Sequence, residues 1–197
     1  AQRDFEPRAD RRYEAAYFWE ERNRWFSDLW TDITGRHQGL VGVDSRDRSA
    51  AYPLAIPYRL INMYSVYGDT VFDPFWGTGT TTLAAMVAGR HSVGKELDPA
   101  FESTFADRLD QVKPLADRVL TDRLDAHETF VDERRAAGET FDYEADNYAF
   151  PVMTKQEKPI RLFRIGHIER TAAGYDVTHE PVGVGWRADL DADTGDR

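Results

Sequence analysis

The segment Asp73–Thr82 contains the residue types of a loop that binds a small anionic ligand. Its sequence, Asp-Pro-Phe-Trp-Gly-Thr-Gly-Thr-Thr-Thr, follows a short apolar run and leads into an apolar helical pattern. Gly77 and Gly79 permit positive φ and let the backbone approach a ligand closely. If a helix begins here, the free N–H groups of Thr80 and Thr81 favour a carboxylate or a phosphate. This segment is therefore the first candidate for chemistry.

A second acidic residue, Glu96, has the position expected of a ribose-binding residue. It follows Gly77 by 19 positions, and about 20 is the usual spacing in nucleotide-binding α/β folds. A dinucleotide fingerprint would need a third glycine at Thr82. A P-loop is excluded because its near match, Gly89–Glu96, ends in Glu and is predicted to be a strand. The pattern fits best an adenosine that carries a carboxylate, which is S-adenosylmethionine.

The elements that must position these residues predict an α/β domain with a parallel sheet. They are, in chain order, a helix with Pro53 in its first turn, a strand Thr70–Asp73, a helix Thr80–Ala88 ended by Gly89, a strand His91–Leu97 and a helix starting at Asp98-Pro99. In such folds the ligand lies beyond the carboxyl ends of the strands. The glycine loop and Glu96 are therefore expected at one site.

The regions on either side are predicted to contain two helices, one hairpin and irregular chain. Arg11–Trp30 is predicted to be one helix with Asp10 as N-cap, and its aromatic face to pack on a core. The other elements are a loop over residues 31–50, a helix from Pro114 to Gly138, irregular chain over residues 139–158, a hairpin of Ile160–Ile168 and Tyr175–Val184, and a disordered tail Asp189–Arg197. We accordingly divide the chain into a bridging helix and loop (1–47), the α/β domain (48–138), a C-terminal extension with the hairpin (139–188) and the tail (189–197).

Composition restricts the class of protein. The chain contains no cysteine, its five histidines are scattered, and no apolar run approaches the roughly 20 residues of a membrane helix. We therefore expect no metal, no membrane and a cytoplasmic location. The net charge of −10 comes from 22 Asp and 13 Glu against 21 Arg and 4 Lys, which is typical of proteins from salt-loving organisms, although a GC-rich genome also favours Arg over Lys.

The quoted motifs resemble the cofactor region of the DNA amino-methyltransferases, which methylate adenine N6 or cytosine N4. The resemblance is carried by the glycine loop from Asp73, by Ala84-Ala85, Gly89-Arg90 and Val93-Gly94-Lys95-Glu96, and by the preceding run Ala51–Ile61. It is close over residues 48–101 and is similar to members with permuted motif order. It implies a partial Rossmann-like methyltransferase fold and S-adenosyl-L-methionine as cofactor.

The resemblance also implies roles for individual residues. Those that would surround the methionine part are Asp73, Phe75, Gly77, Gly79 and Thr80. Glu96 would hold the ribose hydroxyls and Leu97 would flank the adenine. Tyr52 and Pro53 would line the methionine end. From the residues alone, Asp73 could instead cap the turn, and Phe75 could be part of the core.

The base-binding loop of such enzymes, Ser/Asp/Asn-Pro-Pro-aromatic, does not occur in this sequence. None of the nine prolines is adjacent to another, so we expect no catalytic residue in the chain. The chain begins at Ala1 rather than Met, and permuted order places the catalytic half first. We therefore expect a missing N-terminal catalytic half, and double-stranded DNA with a flipped base as the partner of the complete enzyme.

Several alternatives remain open at this point. Ile56–Ile61, Thr78 and the three threonines resemble the cytosine-N4 members more than the adenine-N6 members. An RNA guanine-N2 methyltransferase has a similar cofactor loop, but its Pro-Pro-aromatic loop would follow the motif. A non-catalytic or separately encoded cofactor-binding subunit is the third possibility. For the hairpin, docking on the α/β core competes with a DNA-backbone contact through Arg161, Arg164 and Arg170.

Overall fold

The computed structural model describes residues 9–33 and 52–192, so nearly all of the predicted loop at 31–50 lies outside the described residues. The helices are α1 Asp10–Glu14, α2 Trp19–Trp25, α3 Ala55–Tyr64, α4 Thr80–Val87, α5 Ala100–Leu109, α6 Val112–Ala136 and α7 Trp186–Ala192. The strands are β1 Thr70–Asp73, β2 His91–Gly94, β3 Tyr143–Glu144, β4 Pro151–Val152, β5 Phe163–Thr171 and β6 Gly174–Pro181. None of the described helices is long and apolar enough to cross a membrane.

The centre of the fold is the unit β1–α4–β2. The two strands are parallel and in register from the pair Thr70 and His91 to the pair Asp73 and Gly94, and α4 connects them, which confirms the predicted α/β class. Gly89, at φ +68°, ends α4 as predicted. The second strand is shorter than predicted, so Glu96 lies in the turn after β2.

One face of the β1–β2 sheet is packed and the other is open. Ser92 points toward α4, where its hydroxyl donates to Thr82 Oγ1 at 3.0 Å. On the opposite face Phe72 and Val93 are 62% and 54% exposed, and their strand positions are paired. Parallel sheets are normally covered on both faces, so this face is unusually exposed.

Apolar side chains form two clusters that both include residues of α6. The first cluster joins α3, α4 and α5 to Val112 and Ala116, and contains Trp25 and Ile165. The second surrounds Leu120 and Leu124 and consists otherwise of Phe18 and residues 148–190. The helix α6 therefore connects the β1–α4–β2 unit to the C-terminal region.

The predicted single helix Arg11–Trp30 is wrong: the structure has two short helices, α1 and α2. Asp10 begins α1 as a helical residue instead of capping it. The chain is extended at Phe18, whose N–H donates to Glu21 Oε2 at 2.9 Å, and the next N–H donates to Glu157 Oε1 at 2.7 Å. This break lets the Phe18 ring stack on His127 at 4.1 Å between centroids, which a continuous helix would not supply.

Buried charged side chains hold α2 against α6. Arg123 donates to both carboxylate oxygens of Glu21, at 2.6 and 2.8 Å, and to the Tyr58 hydroxyl at 3.1 Å. One turn further along α6, His127 Nδ1 lies 3.0 Å from Glu20 Oε1, and Nε2 lies 3.0 Å from the Pro151 carbonyl. The charged and aromatic residues of α2 therefore serve as internal contacts.

The predicted hairpin is confirmed as β5–β6, with strand ends shifted by a few residues. It docks on the α/β core, because Ile165, Ile168, Tyr175 and Val177 belong to the first cluster or pack against it. The predicted disordered tail is wrong for residues 189–192, which belong to α7. There Trp186 and Leu190, spaced by four, both enter the second cluster. Residues 193–197 lie outside the described part.

The three hairpin arginines proposed to contact DNA have acceptors within the chain. Arg161 donates to the Asn147 side chain, Arg164 to the Asp189 carbonyl, and Arg170 to Glu102 at 3.2 Å. These contacts favour the packing interpretation of the hairpin over the DNA-backbone interpretation.

Candidate cofactor-binding site

A network of backbone hydrogen bonds fixes the glycine loop at the carboxyl end of β1. The Asp73 carbonyl accepts from the Lys95 N–H at 2.9 Å, and the Trp76 N–H donates to the Lys95 carbonyl at 3.0 Å. The Gly79 N–H then closes a turn on the Trp76 carbonyl at 2.9 Å. Gly77 and Gly79 have φ of +52° and +73°, the region predicted for these glycines. The loop is thereby tied to the turn after β2.

Gly79 is required by packing as well as by its backbone angle. A Cβ at this position would lie 2.3 Å from the Phe105 ring of α5. Trp76 fills the adjoining space, where its Nε1–H donates to Thr82 Oγ1 at 2.8 Å, and a Cβ on Gly94 would meet its ring at 2.1 Å. Sequence reasoning attributed the glycine to its positive φ and to ligand approach, and overlooked Trp76 and Phe105.

The structure brings Glu96 to the glycine loop, although Glu96 follows the strand instead of ending it. Its Oε2 accepts from the Gly77 N–H at 2.7 Å, and its Oε1 accepts from the Leu97 and Asp98 N–H groups at 2.8 and 3.1 Å. The backbone N–H groups of Asp98, Gly77 and Leu97 hold the pKa of this carboxyl below its usual range. Glu96 is therefore an ionised, partly exposed acceptor.

Two apolar side chains beside this carboxylate face solvent. Phe75 is 88% exposed and Leu97 is 90% exposed, so the interpretation of Phe75 as a core residue is wrong. Asp73 Oδ1 accepts from the Phe75 N–H at 3.0 Å, which fits the turn-capping role considered for Asp73. Exposed apolar groups at the rim of a polar loop are suited to contact the rings and methylenes of a ligand.

The residues before α3 meet the first turn of α4. The Tyr52 hydroxyl lies 2.6 Å from Thr81 Oγ1. Pro53 lies two residues before α3 rather than in its first turn, and its carbonyl accepts from the Ile56 N–H at 3.0 Å. Thr80, the first residue of α4, is buried. Tyr52 and Thr80 thus lie at the same helix N-terminus.

Arg108 of α5 is a site residue that sequence reasoning missed. Its Nη1 donates to the Thr78 carbonyl and to Thr80 Oγ1, the latter at 3.3 Å. The side chain is 8% exposed, and burial holds the pKa of its guanidinium below the usual value. The available signal was spacing, since Phe105 and Arg108 are three apart and share a helix face.

The residues present fit S-adenosylmethionine. The ionised Glu96 accepts three backbone N–H groups, and its Oε2 retains acceptor capacity for a ribose hydroxyl. The first turn of α4 offers backbone N–H groups to a carboxylate. Beside Glu96 and Leu97, a groove of about 980 Å³ is lined by α4, β2, α5 and the hairpin residues 170–179, which is ample for a nucleoside.

The chain belongs to the DNA methylase family, because a sequence model of that family matches residues 2–107, more than half of the chain. S-adenosylmethionine, the cofactor predicted from the glycine loop and Glu96, is the cofactor of this family. The DNA amino-methyltransferase resemblance is thereby confirmed.

Two relatives give the family match more detail. The chain is 49% identical over 152 residues to Type II methyltransferase M.MthZI of Methanothermobacter thermautotrophicus, a match that covers 77% of this chain and 41% of the relative. It is 44% identical over 107 residues to Type II methyltransferase M.MjaI of Methanocaldococcus jannaschii, covering 54% of this chain and 34% of the relative. The chain therefore spans about two fifths of the length of the first relative and about a third of the length of the second.

Among solved structures, the chain is similar to a putative DNA modification methylase from Thermus thermophilus complexed with S-adenosyl-L-methionine. The two sequences are 31% identical where they align, which covers 56% of this chain and 40% of the other, with a TM-score of 0.45.

Proposed function

We propose that this chain is the S-adenosylmethionine-binding part of a DNA methyltransferase that methylates an exocyclic base amine. One observation carries the proposal: the Glu96 carboxylate meets the Gly77 turn at the N-terminus of α4. An acceptor for a ribose and donors for a carboxylate thereby lie at one site. The bound cofactor supplies an electrophilic methyl group.

The roles assigned to this chain's residues are binding and orientation. Glu96 accepts the ribose hydroxyls, and Leu97 contacts the adenine. Asp73, Phe75, Gly77, Gly79 and Thr80 surround the methionine part, and Tyr52 and Pro53 close that end. The distance of 2.6 Å between the Tyr52 hydroxyl and Thr81 Oγ1 supports the last assignment.

Isothermal calorimetry of this chain with S-adenosylhomocysteine tests the proposal. Replacing Glu96 by Gln keeps one acceptor but removes the charge, and should weaken binding by roughly tenfold or more. The matched control is Glu144→Gln, the same change at an exposed position of β3, which should bind as the unmodified chain does. Equal affinity of the Glu96 variant and the control would refute the ribose assignment.

We further propose that the base-binding half is a separate segment that covers the open face of the β1–β2 sheet. The exposure of Phe72 and Val93 supports this, since a parallel sheet is normally buried on both faces. The absence of adjacent prolines from the sequence supports it too. Coding sequence next to this chain should then contain an in-frame Pro-Pro-aromatic motif. If none occurs, the separately encoded or non-catalytic subunit becomes the better interpretation.

The chain by itself should transfer no methyl group to DNA, because it lacks a loop to hold the flipped base. The measurement is incorporation of labelled methyl groups into DNA by the purified chain. Incorporation that survives purification, and that Glu96→Gln reduces at limiting cofactor, would show an unrecognised base site.

For the complete enzyme we propose cytosine N4 as the methylated atom. The support is the resemblance of Ile56–Ile61, Thr78 and the run Thr80–Thr82 to the cytosine-N4 members of the family. Mass spectrometry of nucleosides from DNA treated with the complete enzyme separates the candidates. N4-methylcytosine is expected, whereas N6-methyladenine would overturn the assignment. The family match favours DNA over the RNA guanine-N2 alternative.

A further inference from the structure

Arg108 is a buried cation with an incomplete set of partners. Its side chain is 8% exposed, and its Nε is buried without a hydrogen-bond partner. The acceptors it contacts are a carbonyl and a hydroxyl, those of Thr78 and Thr80. Among the described residues it forms no ion pair with a carboxylate.

The electrostatic surroundings of Arg108 also indicate that its charge is incompletely compensated. Burial lowers the pKa of its guanidinium below the ordinary value. The buried Arg123, in contrast, is held by both oxygens of Glu21. A buried arginine that has no carboxylate among the described residues leaves a charge for another group to neutralise.

The charge lies directly behind the N-terminus of α4. Arg108 contacts the residue before Gly79 and the first residue of the helix, so its positive charge adds to that of the helix dipole. The predicted methionine end of the cofactor site, with Tyr52 against Thr81, lies at the same helix start. Two independent features therefore favour an anion here: the N–H groups of the first turn of α4, and a guanidinium that has no carboxylate partner within residues 9–33 and 52–192.

We propose that Arg108 is a positioning residue that makes the site selective for ligands bearing an α-amino carboxylate over the same nucleoside without one. It acts through the loop: it holds the Thr78 carbonyl and the Thr80 hydroxyl and provides the counter-charge for the ligand's carboxylate. This deepens the proposed function, because it rests on S-adenosylmethionine occupying the Gly77–Glu96 site.

Calorimetry with two ligands separates this role from a structural one. S-adenosylhomocysteine carries the carboxylate, whereas 5′-methylthioadenosine keeps the adenosine and the thioether but has no amino-acid group. Arg108→Gln should weaken S-adenosylhomocysteine binding by on the order of tenfold and change 5′-methylthioadenosine binding less than twofold. Arg108→Lys, which keeps the charge, should recover part of the lost selectivity.

Each outcome decides a different claim. Unfolded protein lowers the binding stoichiometry rather than the affinity, so partial misfolding does not imitate the result. If Arg108→Gln yields no folded protein, Arg108→Lys decides: it should retain a preference for S-adenosylhomocysteine, and loss of that preference would overturn the inference. Equal weakening of both ligands by Arg108→Gln, or a Lys variant no more selective than the Gln variant, would overturn it too. Failure of the unmodified chain to bind either ligand would instead overturn the proposed function.

Discussion

The regions on the two sides of α6 differ in whether buried charged groups have partners and in whether large apolar side chains are covered. On the side of α2 and the C-terminal region, Glu21 and Arg123 neutralise each other and His127 has partners at both ring nitrogens. On the side of the glycine loop, Arg108 has no carboxylate among the described residues, and Phe72 and Phe75 face solvent. In the first region the buried ion pair is formed within the chain, whereas in the second region a ligand would supply the counter-charge of Arg108 and a covering segment would bury the exposed phenylalanines.

The largest effect on stability is expected from removing the buried ion pair between Glu21 and Arg123. Glu21→Gln leaves Arg123 buried without a counter-charge and should lower the free energy of unfolding by roughly 3–5 kcal/mol. Urea denaturation measures it. The control is Glu128→Gln, which removes an exposed partner of Arg187 and should cost less than about 1 kcal/mol. An equal decrease in the free energy of unfolding in the two variants would show that the buried ion pair is no more important for stability than the exposed one.

The next effect is expected at the loop, where packing leaves no space. Gly79→Ala puts a Cβ 2.3 Å from the Phe105 ring at a φ of +73°, and should destabilise by about 2–3 kcal/mol. Gly77→Ala, at φ +52° with only the Phe75 carbonyl within 4 Å, isolates the backbone cost and should lose about 1 kcal/mol. If Gly77→Ala is as damaging as Gly79→Ala, the Phe105 contact is not the reason for Gly79.

A smaller effect should depend on pH. Burial opposes the charge of His127, but the hydrogen bond to Glu20 raises the pKa of the imidazole above 6.5. A raised folded-state pKa means that this contribution is fully present below pH 6.5 and is lost as the pH rises through the raised value. The difference in melting temperature between the unmodified chain and His127→Gln should therefore shrink above neutral pH. A difference that grows with pH would show that His127 is neutral in the fold.

The smallest effect per residue is expected from salt, which acts on the exposed charges of both sides. A protein adapted to high salt should continue to gain stability above a tenth molar, although the screening length is already about 10 Å there. Thermal melts from about 0.1 to 3 M KCl measure this gain. A melting temperature that levels off near physiological salt, about 0.15 M, would favour the GC-rich explanation of the Asp and Arg content.

The elements near the loop were predictable because they depend on local signals. Thr70–Asp73 is bounded as predicted, and Gly89 ends α4, since apolar runs and glycines act over a few residues. The break at Phe18 was not predictable, because its cause is Glu157, 138 positions from Trp19. Arg108 was missed for a similar reason: a lone arginine on an amphipathic helix gives no sign that it lies under a loop 30 residues earlier.

The attachment of α2 also has a consequence for synthesis of the chain on the ribosome. Glu21 cannot form its ion pair until Arg123 has been synthesised, 102 residues later. The Trp19 amide likewise has no acceptor until Glu157 has been synthesised, 138 residues later. At roughly 5–20 residues per second, the longer interval takes on the order of ten seconds. During that interval Phe18 lacks its partners in the second cluster, which lie at residues 120–190, so the nascent chain should be a substrate for chaperones that bind aromatic segments until these residues have emerged.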